Sequence, residues 1–226
     1  MSPSPPLFLD IDGTLTRAAG GLDGRVIEPL RSWDAPVILA TGKAFPYPIA
    51  LCHYFSLPER VVAENGGIVC VDGHFERLVD TDGLDTFIAE ARTRGIDFGW
   101  DEADTVNRWR ETELAIERSM TTRDELESLA AEHGLEVVDS NYAYHVKSPN
   151  VSKGRALERV ANHLGIDLSA AVAIGDSEND ESMFELAGRS FALANADDTA
   201  IAAADVRHDV GYAEGTLEIL SELADT

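Results

Sequence analysis

The chain has 226 residues, 44% apolar and 26% charged, enough for a packed core in one large domain or in a domain carrying an insertion. Its 41 acidic residues against 18 Lys plus Arg give a formal net charge of −23, which argues against nucleic acid as a partner. No run of about 18 apolar residues is present, so no membrane span is expected, and Met1 to Pro6 lack the basic start of a signal peptide.

Only Lys43, Lys147 and Lys153 are lysines. An acidic chain so poor in lysine resembles proteins of salt-loving organisms: at about 1 M salt the Debye length is about 3 Å, and self-repulsion is screened. The same scarcity marks each remaining lysine as a candidate functional residue. Cys52 and Cys70 lack metal-ligand spacing and are expected as reduced, buried thiols of a cytoplasmic protein.

In chain order, Leu7–Leu9 form an apolar run that predicts a buried strand of a parallel sheet. Asp10 and Asp12 follow at its carboxyl end, ahead of Gly13-Thr14. Val26, Ile27, Leu30 and Trp33 share one helical face. Pro36 to Thr41 reads as a second buried strand. The helix within Ala44 to Phe55 starts late, because Pro46 and Pro48 suit a first turn. Val61–Ala63 is a short strand, and Ile68–Val71, Asp72-Gly73 and His74–Val79 spell a hairpin. From about Asp80 to Asn150 charge becomes dense. A helix (Leu84–Arg94), a half-buried strand (Glu113–Glu117), a helix capped by Thr121 or Thr122, and strands at Leu135–Val138 and Tyr142–Lys147 suggest an inserted α+β module. The α/β rhythm then resumes. Ser152 caps a helix ending at Gly165, Ala171–Ile174 is a buried strand before Gly175-Asp176, and Met183–Ala187, Phe191–Leu193 and Thr216–Leu223 follow as helix, strand and helix.

Four polar groups thus fall at strand ends or helix starts: Asp10 with Asp12, Thr41-Gly42, Lys153, and Asp176 with Asp180. Two carboxylates at the end of a buried strand repel each other and lose solvation, which is best explained by a bound cation. A hydroxyl and exposed amides at Thr41-Gly42 suit a phosphate oxygen, or simply an N-cap. Lys153 opposes the dipole of the helix it opens. Asp176 and Asp180, four apart, meet if their turn is helical.

The order and types of these groups resemble the haloacid dehalogenase superfamily of phosphohydrolases over the whole chain. Asp10-Ile11-Asp12-Gly13-Thr14 is similar to its first motif, Thr41 to its second, Lys153 to its third, and Gly175-Asp176-Ser177-Glu178-Asn179-Asp180 to its fourth. Glu64-Asn65-Gly66-Gly67 looks like the segment before the cap in the Cof-type branch. The compact insertion, with Tyr144-His145-Val146-Lys147 leading to Val151-Ser152-Lys153-Gly154, looks most like archaeal phosphoglycolate phosphatases, with the sucrose-phosphate phosphatase-like group nearby. Lys43 departs from the asparagine more common after Thr-Gly there.

The resemblance implies an α/β, Rossmann-like, doubly wound parallel sheet as a catalytic core (1–79 and 151–226), with residues 80–150 as a small inserted α+β cap. It implies Mg2+-dependent hydrolysis of a phosphate monoester, most of all 2-phosphoglycolate, through an aspartyl-phosphate. Asp10 is then the nucleophile and Asp12 the acid and base. Asp10, Asp176 and Asp180 hold the metal with the Asp12 backbone carbonyl, and Thr41, Gly42 and Lys153 bind phosphate. The partner is a small phosphorylated metabolite, with neither nucleic acid nor membrane, and the chain is a monomer or homodimer. A sugar- or polyol-phosphate phosphatase uses the same chemistry. A phosphate-binding regulator without catalysis would not need both Asp10 and Asp12, and a receiver domain would need no cap. His53, His74, His133, His145 and His163 lack ligand spacing and are expected to be structural. Trp100 and Trp109, which flank Arg108 and Arg110, are expected in the core and surface of the insertion.

Overall fold

The computed structural model describes residues 4–225, so Met1–Pro3, on which the reading of the amino terminus partly rests, lie outside the described residues. Its elements are β1 (Leu7–Leu9), α1 (Ile27–Arg31), β2 (Val37–Ala40), α2 (Pro46–Phe55), β3 (Arg60–Ala63), β4 (Ile68–Val71), β5 (His74–Arg77), α3 (Asp82–Thr93), β6 (Glu113–Glu117), α4 (Arg123–Glu132), β7 (Glu136–Asp139), β8 (Ala143–Lys147), α5 (Lys153–Leu164), β9 (Val172–Gly175), α6 (Glu181–Leu186), β10 (Arg189–Ala192), α7 (Asp198–Ala203), β11 (Val206–Arg207) and α8 (Tyr212–Ala224). Among these, α7 and β11 are too short to show a hydrophobic period and are not expected from the sequence.

The larger sheet runs β11-β10-β9-β1-β2-β3-β4-β5. From β11 to β3 its strands are parallel, and β4 and β5 close it as an antiparallel hairpin. Asp72 (φ 48°) and Gly73 (φ 85°) make the left-handed pair that such a two-residue turn requires. Both faces are covered, so β1 has no polar side. Leu7 and Leu9 pack with Leu30, Phe55 and Ile219 on one face, and Phe8 packs with Leu157, Val160 and Phe184 on the other. The parallel order sets the carboxyl ends of β1, β2 and β9 side by side, and Asp10, Thr41 and Asp176 each follow one of these strands. This is where open α/β sheets bind ligands.

The second sheet, β6-β8-β7, is antiparallel. Thr122 caps α4 by accepting from the Glu125 amide, and α3 and α4 cover one face through Phe87, Leu126 and Leu129. The other face corrects the half-buried reading of β6. Glu113 and Ala115 point away from that core and are buried as well, because this face lies over the strand ends of the larger sheet. Lys147 is a tether: its Nζ donates to Val151 O at 2.6 Å and pairs with Glu136. Cys52 and Cys70 are buried free thiols, and no helix among the described residues is long and apolar enough to cross a membrane.

Candidate active site

Lys153 opens α5, where Ser152 accepts from the Arg155 amide. A Cβ on the next residue, Gly154, would stand 2.1 Å from Ser182 O, so this glycine lets α5 approach the start of α6. That approach places the fully buried Lys153 Nζ 2.7 Å from Asp10 Oδ1 and 2.6 Å from Asp180 Oδ1. Burial alone would lower the lysine's pKa, but the two carboxylates outweigh it and hold the ammonium charged. Asp180 Oδ2 accepts the amides of Asp176 (2.9 Å) and Ser177 (3.1 Å), so Asp180 also shapes the loop that carries Asp176.

Asp10, Asp176 and Asp180 each bring a carboxylate oxygen within 4.8 Å of the others. Burial pushes the Asp10 and Asp176 carboxyls upward, and the neighbouring carboxylates add to it, against the opposing charge of Lys153. Asp176 Oδ2 accepts from Asn195 Nδ2 at 2.9 Å, whereas Asp176 Oδ1 is buried with no partner. An orphaned oxygen in a cluster of mutually repelling carboxylates is what a hard cation would satisfy, and oxygen donors of this kind suit magnesium. Gly13 (φ 83°) makes room: a Cβ there would stand 2.0 Å from Asp176 Oδ2.

Asp12 points the other way, into a cavity of about 240 Å3 that Asp10, Thr41 and Gly42 also line. Asp12 Oδ2 pairs with Lys43 Nζ at 3.0 Å, and Thr41 Oγ1 accepts the Lys43 amide at 3.1 Å. The predicted set therefore meets in one place. Asp10, Lys153 and Asp180 are in direct contact, Asp176 stands beside them, and Asp12, Thr41 and Gly42 face the opening above.

The insertion supplies a wall that sequence reasoning missed. Ser177 Oγ donates to Asn179 Oδ1, Asn179 Nδ2 to Asn65 Oδ1, and Asn65 Nδ2 to Glu113 Oε2, each at 2.8 Å. Glu113 Oε1 pairs with Arg110 Nη1 and, at 2.9 Å, with His145 Nδ1, while His145 Nε2 lies 2.9 Å from Ser140 Oγ. Burial by itself would raise Glu113. The charges of His145 and Arg110 overcome it and hold the carboxyl at about 2. So His145, expected from the sequence to be structural, lines the cavity, and Arg110 lines it too.

Glu64 anchors this wall to the core. Its Oε2 accepts from the amides of Glu111 (2.9 Å) and Thr112 (2.7 Å) and from Thr112 Oγ1 (2.7 Å). Glu64 and Asn65 both hold a left-handed backbone, at φ 51° and 50°, a cost that the packed site sustains. Arg123 of α4 adds a forked bond to Glu178, at 2.6 and 2.8 Å.

The description haloacid dehalogenase-like hydrolase matches residues 112–220. A phosphoglycolate phosphatase of Halorubrum lacusprofundi is 56% identical over 220 residues, 97% of each chain. The chain belongs to the haloacid dehalogenase-like hydrolases. A second relative in this family, a phosphoglycolate phosphatase of Halobacterium salinarum, is 48% identical over 219 residues and 97% of each chain. These relatives come from halophilic archaea, as the charge of −23 suggested for this hydrolase. Among solved structures, a Thermoplasma acidophilum protein aligns with a TM-score of 0.86 at 26% identity, covering 99% of each chain. A HAD subclass IIB sugar phosphatase aligns at 0.76 and 16% identity, over 99% of this chain and 100% of that one, and shares the fold.

Proposed function

We propose that this hydrolase is a magnesium-dependent phosphatase that converts 2-phosphoglycolate to glycolate and phosphate. The observation that carries the reading is the buried contact of Asp10 with Lys153 and Asp180 at the floor of a cavity that Asp12 overlooks. The full-length likeness to proteins named phosphoglycolate phosphatase supports the choice of substrate.

In this reading an Asp10 carboxylate oxygen bonds to phosphorus as the ester P–O bond breaks. Asp12 delivers a proton to the departing oxygen. It then takes one from the water that attacks phosphorus and frees Asp10. Lys153 holds Asp10 oriented and offsets charge on the phosphoryl oxygens, and the Thr41 hydroxyl and the turn at Gly42 bind them from the other side. Asp10, Asp176 and the Asp12 carbonyl would hold magnesium, with Asp180 ordering the shell, and the bound ion would supply positive charge to offset the repulsion between a dianion and a carboxylate. The buried, unpaired Cys52 and Cys70 suit the reducing cytoplasm, where we place the protein.

The test compares kcat/KM for phosphoglycolate with a panel of sugar phosphates, in molar KCl with magnesium. Phosphoglycolate is expected to be the best substrate. A sugar phosphate ahead of it would overturn the choice of substrate and leave the phosphatase reading intact. Chelator should remove the activity and magnesium restore it; indifference to chelator would remove the metal from the reading.

A further inference from the structure

We propose that Arg110 and Lys43 form a subsite for a carboxylate on the leaving group, and that this subsite restricts the enzyme to phosphate esters of short 2-hydroxy acids. The inference rests on the phosphatase reading above and adds the residues that choose the ester.

Both side chains line the cavity that contains Asp10 and Asp12. Arg110 comes from the insertion, and its side chain is only 5% exposed. Its Nε donates to Val106 O at 3.1 Å, and its Nη1 donates to Gly42 O at 2.7 Å and pairs with Glu113. Among the described residues Nη2 has no hydrogen-bond partner. A guanidinium fixed through Nε and Nη1, in a side chain that lines this cavity, is pre-organised for a planar anion. The bond to Gly42 O also sets this group one residue from Lys43.

Lys43 is restrained in a complementary way. Its Nζ stands 5.8 Å from the Tyr47 ring centroid and 5.5 Å from that of Tyr142, and it spends one contact on Asp12. Tyr142 is itself stacked on Trp100 at 5.7 Å. An ammonium has three donors, so two remain for a ligand. The phosphoryl group does not require this pair, because Lys153 and Thr41 already serve that end. The neutral hydroxyls of a sugar would accept from these donors without adding charge, whereas a carboxylate would meet the guanidinium and the ammonium as a charge-assisted pair. Glu113 and Asp12 are the counter-ions of the two cations within the protein.

Size agrees with this class. The cavity, at about 240 Å3, is smaller than the roughly 300–1,000 Å3 of sites for drug-sized ligands. With phosphorus held at Asp10, a carboxylate one carbon beyond the ester carbon is the short anionic tail that such a space admits.

The experiment uses the full chain in molar KCl with magnesium, and two substrates of equal length: phosphoglycolate and 2-hydroxyethyl phosphate, which lacks the carboxylate. The readout is the ratio of their kcat/KM values. Charged hydrogen bonds of this kind correspond to a wild-type ratio of about 10 to 100. In Lys43→Met and Arg110→Met the ratio should fall at least about tenfold, chiefly through the KM for phosphoglycolate. Arg110→Lys keeps a cation for Glu113 but loses the fork. It should lose part of the ratio, and it covers the case in which Arg110→Met fails to fold. Glycolate should inhibit the wild type competitively and the variants more weakly. A ratio that stays within about twofold of wild type in Lys43→Met and Arg110→Lys would overturn the subsite and leave phosphoglycolate as substrate. A wild-type ratio near one would instead bring down the choice of phosphoglycolate, and the subsite with it.

Discussion

Lys153 and Arg110 are both buried cations of the site, and they are held in contrasting ways. Lys153 lies between Asp10 and Asp180, groups set by β1, by α5 and by the loop after β9, all parts of one sheet and its helices. Arg110 sits in the irregular stretch before β6 and leans on Glu113, Val106 O and Gly42 O, two partners from the insertion and one from the core. The core cation is fully buried and held by two carboxylates of the larger sheet and its connections. The insertion's cation belongs to a smaller unit that meets the core through polar contacts: Glu64 with Thr112, Arg123 with Glu178, and the Tyr47 hydroxyl with Thr105 O at 3.0 Å. The groups proposed to act on every ester lie on the larger sheet, and Arg110, proposed to select the ester, lies on the smaller unit.

Four substitutions would break or sharpen that comparison. The largest effect is expected on the floor: Asp10→Asn should reduce turnover of every ester by at least about 10,000-fold, since no other carboxylate there is placed to attack. Steady-state assays with phosphoglycolate and an aryl phosphate check this, and near-normal turnover of either would remove Asp10 as nucleophile. On the wall, Glu113→Ala strands Arg110 and leaves Asn65 and His145 without their acceptor. Unfolding in denaturant at molar KCl should show a loss of about 3–5 kcal/mol. A loss near zero would mean that the wall is not one built unit.

Glu64, at the joint between the two parts, makes a prediction in pH. Burial, and then the charge of Glu113, raise its carboxyl from 4.5 to about 7. The folded state therefore holds a proton there that the unfolded chain has released, so this group's stabilisation is complete below about pH 4.5 and is lost as pH rises to about 7. Glu64→Gln cannot ionise, so its Tm relative to wild type should climb between pH 5 and pH 7.5, measured as a difference at each of these pH values. A flat difference would place the Glu64 titration outside that window. The smallest effect is expected at the Arg123–Glu178 bridge, where Arg123 is 38% and Glu178 18% exposed. Arg123→Ala should cost no more than about 1 kcal/mol of stability. It should still raise the KM for phosphoglycolate more than it lowers kcat if this bridge helps the cap to close. An unchanged KM would confine Arg123 to the surface.

The floor was legible because every part of it has a local signature. Buried parallel strands read as short apolar runs, and a polar residue ending such a run stands out: Asp10 after Leu7–Leu9, Thr41 after β2, Asp176 after β9. Ser152 ahead of Lys153 announced the helix that carries the lysine. Lysine scarcity pointed to Lys43 and Lys153, and equally to Lys147, which the structure makes a tether, so rarity alone does not separate the two uses. Asn195 had no such mark. It holds Asp176 from 19 positions away, in a stretch with no periodicity.

By itself, then, the sequence determined the alternation of strands and helices, the half-polar strands of β6 to β8 and the polar groups at the strand ends. These follow from local hydrophobic period, caps and turns. Only the tertiary structure decided that Glu113 is buried and not half-exposed, that it joins Asn65, 48 residues away, to Arg110 and His145, and that this wall closes over Asp12. Those choices depend on where the second face of a three-stranded sheet comes to rest. A strand's pattern records which of its faces is apolar, but a polar face reads the same whether it meets water or another polar surface.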